Sequence, residues 1–186
     1  ILSAQMLDRT DFYMGAVPAN YGNVMAGVVD MKLREGNRNR HEYTAQASVI
    51  GLDSAGEGPL GKNEHNSFLA NYRYSTVGLL SAAGVNFGDE AITFQDLSFH
   101  TSFNQKNGSI FSLFGVWGLS KNGFDAKKQE DIEVDKDLYD IDYSSNMYAV
   151  GLTYELPLPR GKFSTGLAYS GLDQGRDGLM RVFIPR

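Results

Sequence analysis

The chain has 186 residues, 42% hydrophobic and 21% charged, with a formal net charge of −5 and no cysteine. That length can bury a core, and the missing cysteines exclude disulfides and thiolate chemistry. No stretch approaches the apolar length of a membrane helix, no signal peptide opens the chain, and no basic patch exists to hold nucleic acid.

Residues 1–40 are rich in Gly, Pro and Asn, and the spacing predicts a short strand over roughly Asp11–Met14, a turn, then a strand over Gly27–Arg34. Pro18 fixes φ in the turn, and Gly15, Gly22 and Gly27 permit positive φ or close backbone approach. The segment is not a phosphate cradle. No Gly-Lys-Ser/Thr closes it, and no helix follows whose N-terminus could hold an anion.

From residue 41 onward a period of two recurs. Tyr43, Ala45, Ala47 and Val49 share a face, as do Phe68, Ala70, Tyr72 and Tyr74, with Arg73 opposite them. Tyr148, Val150, Leu152, Tyr154 and Leu156 alternate with small or polar residues, and Phe163, Leu167 and Tyr169 repeat the pattern. Such alternation predicts strands with one apolar and one polar face. Residues 92–104 change face near Asp96, where a bulge is expected.

Tight turns are expected at Gln105–Gly108 and Pro157–Gly161, and long links at Val77–Ala91 and Ser120–Ser145. Short turns at one end and long loops at the other describe an antiparallel up-and-down meander, all-β, with strands of about ten residues. Tyr and Phe are expected at strand ends, where an aromatic girdle would sit. Period alone leaves open which face turns inward. Apolar outward gives part of a transmembrane β-barrel; apolar inward gives a soluble barrel or sandwich. Loop asymmetry and the aromatics favour the first.

Asp125–Asp142 carries eight acidic residues against three lysines, a balance of −5 that equals the net charge of the whole chain. Asp131, Asp135, Asp137 and Asp140 mark it as a candidate acidic surface loop, either solvated or selecting cations, and its spacing does not fit an EF-hand. His41, His65 and His100 stand apart, with no second ligand at metal spacing, and no Gly-x-Ser-x-Gly elbow presents a nucleophile. Lone Trp117 reads as a mid-strand residue facing lipid or packed against its neighbours. The residues point to no catalytic group, metal or cofactor.

Pro18, Ala19, Tyr21, Gly22, Gly27, Val28, Val29 and Asp30, followed by Arg34–Asn37, resemble the end of the plug domain of TonB-dependent outer-membrane receptors. Glu57–Leu60, then Ser67, Phe68, Leu69 and Arg73, resemble that family's Glu-Gly-Pro turn and early barrel strand in the form seen among Bacteroidota. Asn20 and Asn23 depart from the motif. The resemblance implies that residues 1–40 are the C-terminal part of a plug. Residues 41–186 would then be the first strands of an incomplete barrel whose parent has roughly 22 strands.

It further implies plug-gated, energised import of a scarce solute in the outer membrane of a Gram-negative bacterium, without covalent catalysis. TonB would engage a segment absent from this chain, and outer-membrane lipids and a surface lipoprotein would be further partners. Pro18, Tyr21, Gly22, Gly27 and Asp30 become the plug motif. Arg34 and Arg73 become plug–barrel interface candidates, with Arg73 expected either to reach a plug carboxylate such as Asp30 or to stand solvated in the lumen. The rival readings are a small complete outer-membrane barrel and a soluble β-rich binding module.

Overall fold

The computed structural model describes residues 2–15, 17–22, 24–49, 51–61, 65–77, 84, 90–127, 132 and 135–180. A single turn of 3-10 helix, Ala4–Met6, leads into β1 (Leu7–Met14), which pairs antiparallel with β2 (Gly27–Leu33) as a two-stranded unit. Strands β3 (Glu42–Ala47), β4 (Gly51–Pro59), β5 (Ser67–Ser75), β6 (Glu90–Asn104), β7 (Ile110–Phe124), β8 (Tyr139–Leu158) and β9 (Gly161–Met180) then form a seven-stranded antiparallel sheet in chain order. The protein is all-β. No helix among the described residues is long and apolar enough to cross a membrane.

The registers put the expected apolar faces on one side. Tyr72 lies opposite Leu97, Leu97 opposite Trp117, Trp117 opposite Tyr148, and the next row runs Ala70, Phe99, Gly115, Val150 and Tyr169. Three glycines are roofed by the aromatic ring directly across the ladder: Gly115 by Phe99, Gly151 by Phe114 and Gly171 by Tyr148. Each ring fills the space a glycine leaves in a strand.

Among the described residues nothing covers this apolar side: Tyr43 is 80% exposed and Leu167 74%, and Tyr72, Leu97, Trp117, Tyr148, Val150 and Leu152 are also exposed. The opposite side carries Asp53, Glu57, Asn71, Arg73, Asp96, Ser98, His100 and Ser102, and the N-terminal unit lies on it. Among the described residues, buried polar ones (Ser3, Ser67, Asn71, Ser75, Asp96, Ser98, Ser102, Ser109 and Asp137) outnumber buried apolar ones (Met6, Leu69, Val77, Phe124 and Ala126). Among the described residues the buried set is therefore largely polar and the uncovered face apolar. The accessible surface, 13121 Å², is that of an open sheet. A compact monomer of 20.5 kDa would expose only about 8,900 Å².

Several expectations need correction. β1 begins at Leu7 rather than Asp11, because it pairs along its whole length with β2, with one irregularity between Leu7 and Arg9. β2 stops at Leu33, since Arg34 turns its amide to the Met6 carbonyl. Glu57 and Gly58 are not in a turn: they pair with Leu69 and Phe68, and the strand runs to Pro59. There is no bulge at Asp96. β6 keeps unbroken register with β5 and β7, and the change of face reflects Phe94 joining Arg73 and Asp96 on the polar side, its ring 5.8 Å from the Arg73 guanidinium.

β6 and β7 have 15 residues, β8 and β9 have 20, well beyond the expected length. Tyr148, Tyr154 and Tyr169 consequently sit inside strands rather than at their ends. They edge an apolar band that gives way to Asn146, Asp142, Asp173 and Asp177 while the ladder continues. The two ends of the sheet are unlike but not sorted by length. Connection 48–50 lies at the same end as 76–89 and 125–138, whereas 60–66, 105–109 and 159–160 lie at the other. The tight turn at Gln105–Gly108 is present, with the Gly108 amide on the Gln105 carbonyl and Gly108 at φ +81°.

Candidate functional site: the polar seam under the N-terminal unit

The segment joining β2 to β3 presses against the polar face of the sheet at Gly36. A Cβ there would collide with the Phe68 carbonyl oxygen and carbon, so only glycine permits this approach. Held so close, its neighbours reach the sheet. The Arg34 guanidinium meets Glu57 fork to fork, Nη1 to Oε2 and Nη2 to Oε1, both at 2.7 Å, while Nε donates to the Gln5 carbonyl at 2.6 Å. The Asn37 amide adds a third bond to Glu57, at 2.7 Å. The hydrogen bonds to Glu57 hold Arg34 protonated beyond its already high ordinary value.

Two further ties flank this pair. His100 Nδ1 lies 2.8 Å from the Arg34 carbonyl oxygen, and a carbonyl can only accept, so this nitrogen carries the proton. Ser102 Oγ donates to Glu35, which also pairs with Arg38. Asp53 on β4 accepts from Ser3 Oγ (2.8 Å), Gln5 Nε2 (3.2 Å) and Asn71 Nδ2 (2.5 Å). Met6 and Leu69 are both fully buried, and the unit is seated by charge-assisted and neutral hydrogen bonds.

Inside the unit, Tyr21 closes the Pro18 turn, its amide on the Pro18 carbonyl at 3.0 Å and its hydroxyl on Asp30 at 2.9 Å. Its ring packs 5.8 Å from Tyr13. Asp30 lies directly across the ladder from Asp11, and facing like charges repel. The repulsion is relieved by giving each a donor: Tyr21 serves Asp30, and Arg9 Nε bonds both oxygens of Asp11 at 2.8 Å. The bond from Arg9 lowers the Asp11 pKa, and the bond to Asp30 raises that of Tyr21. Of the three glycines read as backbone devices, Gly15 has φ +82° and Gly27 approaches the Tyr13 carbonyl. Gly22 does neither.

Comparison with protein-family models, curated proteins and solved structures gives no match.

Arg73 behaves differently from the expectation that it reaches Asp30. It pairs with Asp96 on the neighbouring strand at 2.7 Å, because the β5–β6 register sets the two directly opposite, and Asp30 is occupied by Tyr21. The acidic loop is only partly within the described residues. Asp131 lies outside them, and Asp135 starts a short 3-10 turn, Asp135–Leu138. Asp137 is buried beside Lys127, Nζ to Oδ1 3.4 Å, and Asp140 accepts from the Ala126 amide at 2.7 Å. These two carboxylates tie the base of the loop. His41 stacks near Phe68, and no cluster fit to hold a metal occurs among the described residues.

Reading along the sequence missed Glu57, Asp53, Glu35 and His100. Residues 51–59 carry Asp53 and Glu57 two and four positions from Ala55 and Asp53 respectively in strand parity, on the face of Arg73, which would have placed both on the polar side.

Proposed function

We propose that this chain is part of a TonB-dependent outer-membrane transporter: β3–β9 are strands of a transmembrane barrel, and the N-terminal unit is the end of the plug lodged against its inner wall. The single observation that carries the reading is the opposite character of the two faces. The apolar face is uncovered, and the polar face is occupied by the chain's own N-terminal unit through hydrogen bonds. A soluble sheet would bury the apolar face, whereas a barrel in lipid turns it outward and keeps a polar lumen.

On this reading the end with connections 48–50, 76–89 and 125–138 faces the exterior, and the end with 60–66, 105–109 and 159–160 faces the periplasm. The protein supplies binding and gating and no covalent chemistry. Force from TonB on a plug segment outside this chain would break the seam at Arg34 and Glu57 and open a path for the solute. Polar contacts suit this role, because water can replace them bond for bond as the unit moves. The motifs at Pro18–Asn37 and Glu57–Arg73 favour this family over a small self-contained barrel.

The test is fractionation of the full-length protein, with gel migration compared before and after boiling. Recovery in the outer membrane with heat-modifiable migration is expected. Recovery as a soluble periplasmic protein overturns the reading.

A further inference from the structure

At the polar border of the apolar face a furrow of about 510 Å³ crosses β5 to β9. One wall is the row Tyr74, Gln95, Leu119, Asn146 and Asp173, and the other is Thr93, Lys121 and Ser144; the strand backbone between them is the floor. It therefore opens on the outer face, away from the N-terminal unit.

The amides in this furrow are oriented by aromatics one row nearer the apolar band. Trp117 Nε1 donates to Asn146 Oδ1 at 3.0 Å, and Tyr72 OH donates to Gln95 Oε1 at 3.2 Å. With both carbonyl ends engaged, the amide N–H groups of Gln95 and Asn146 are left to face the furrow. Between them, across β7, stands exposed Lys121, which makes no ion pair among the described residues. Two amide donors, an ammonium and the Thr93 and Ser144 hydroxyls form a donor-rich cradle. Asp173 closes the β9 end and excludes an anion there.

Directly below, an apolar furrow of about 210 Å³ runs between Leu97, Trp117, Tyr148 and Val150. A donor cradle one ladder row from an apolar furrow is complementary to an amphiphile bearing phosphate on its head. We propose that this furrow is a binding site for the headgroup phosphate of a membrane lipid, seated on Gln95, Lys121 and Asn146, with an acyl chain lying along Trp117 and Val150. The inference rests on the membrane reading above.

Trp117, the one tryptophan of these 186 residues, lines the apolar furrow and bonds Asn146 of the polar one, so with any tryptophan elsewhere in the full-length protein replaced by phenylalanine it reports both ideas separately. That full-length single-tryptophan variant, in nanodiscs of zwitterionic phosphatidylcholine, is doped with a few mole per cent of either brominated phosphatidic acid or brominated diacylglycerol, and Trp117 quenching is read. Preferential quenching by the phosphatidic acid, about fivefold by apparent affinity, the scale of one exposed ion pair, is expected. Lys121→Gln should abolish the preference, and Lys162→Gln, at the opposite end of the sheet, should leave it intact. Equal quenching by both lipids, unchanged by Lys121→Gln, overturns the phosphate site while leaving the membrane reading standing. Loss of the preference on adding millimolar inorganic phosphate overturns the lipid as its source. If brominated phosphatidylcholine replacing the whole host leaves Trp117 unquenched, the membrane reading itself fails.

Discussion

Arg34 and Glu57 meet through two parallel hydrogen bonds of 2.7 Å, one residue from the N-terminal unit and one from the sheet. The carboxylate is largely buried and the guanidinium about one-third exposed. Removing one partner leaves the other desolvated with no counter-charge, which costs more than the pair contributes. Arg34→Ala should loosen the seat by about 2 kcal/mol. In hydrogen exchange that is a roughly 30-fold loss of protection at the Asn37 amide, which also donates to Glu57. The double variant Arg34→Gln with Glu57→Gln should recover part of the loss, since two neutral amides still bond. Protection unchanged in Arg34→Ala would mean that the seam is not held by this pair.

Gly36 and Gly22 separate two roles that look alike in the sequence. A Cβ at Gly36 would strike backbone atoms of Phe68, which cannot rotate away, whereas one at Gly22 meets nothing within 4 Å. Gly36→Ala should therefore destabilise docking by about 3 kcal/mol through overpacking. Gly22→Ala should stay within about 0.5 kcal/mol of the parent. Urea unfolding of the refolded protein, followed with a probe on the N-terminal unit, measures both. Equal effects would show that the close approach at Gly36 does not decide the seat.

Alternation made most of the large sheet legible: the apolar sets at Tyr43, Phe68, Tyr148 and Phe163 each fell on one face because a strand allows no other arrangement. Strand ends were not legible, since β8 continues past Tyr148 into Asn146 and Asp142, where the ladder persists but the apolar signal stops. The seam was half visible. Arg34 stood out as a charge at a motif's end, but its partner Glu57 sits 23 residues away, inside a segment that reads as a turn. Arg73 was placed on its correct face and still given the wrong partner, because pairing across a ladder depends on register, which one strand alone does not contain.

Tyr21 gives a pH signature. Its hydroxyl donates to Asp30, so ionising it would set a phenolate against a carboxylate, and its pKa is raised. A raised folded value means that the contact is fully present below the ordinary tyrosine pKa of about 10 and is lost as pH climbs through the folded value. Ultraviolet titration of phenolate should place Tyr21 among the tyrosines that ionise late in the parent. Tyr21→Phe should shrink that late component by one tyrosine and leave the earlier ones. A late limb of unchanged amplitude in Tyr21→Phe would assign the raised pKa elsewhere.

The sharpest separation of membrane and soluble architectures comes from two adjacent residues of β8. Leu152 lies mid-band on the apolar face, flanked by Val150 and Tyr154 and opposite Leu113 and Leu167; Thr153 points to the polar side, opposite Ser112 and Gly166. In lipid, Leu152→Arg puts a cation near the hydrocarbon midplane and should cost about 2–4 kcal/mol, whereas Thr153→Arg enters a polar lumen and should cost less than about 1 kcal/mol. A soluble barrel with its apolar face inward would give the same order of cost but would refold without vesicles, so a larger cost at Leu152 identifies an outward band where folding also requires lipid. Refolding equilibria in lipid vesicles read the difference directly. A smaller penalty at Leu152 than at Thr153 would remove the outward-facing apolar band from the account, and with it the barrel.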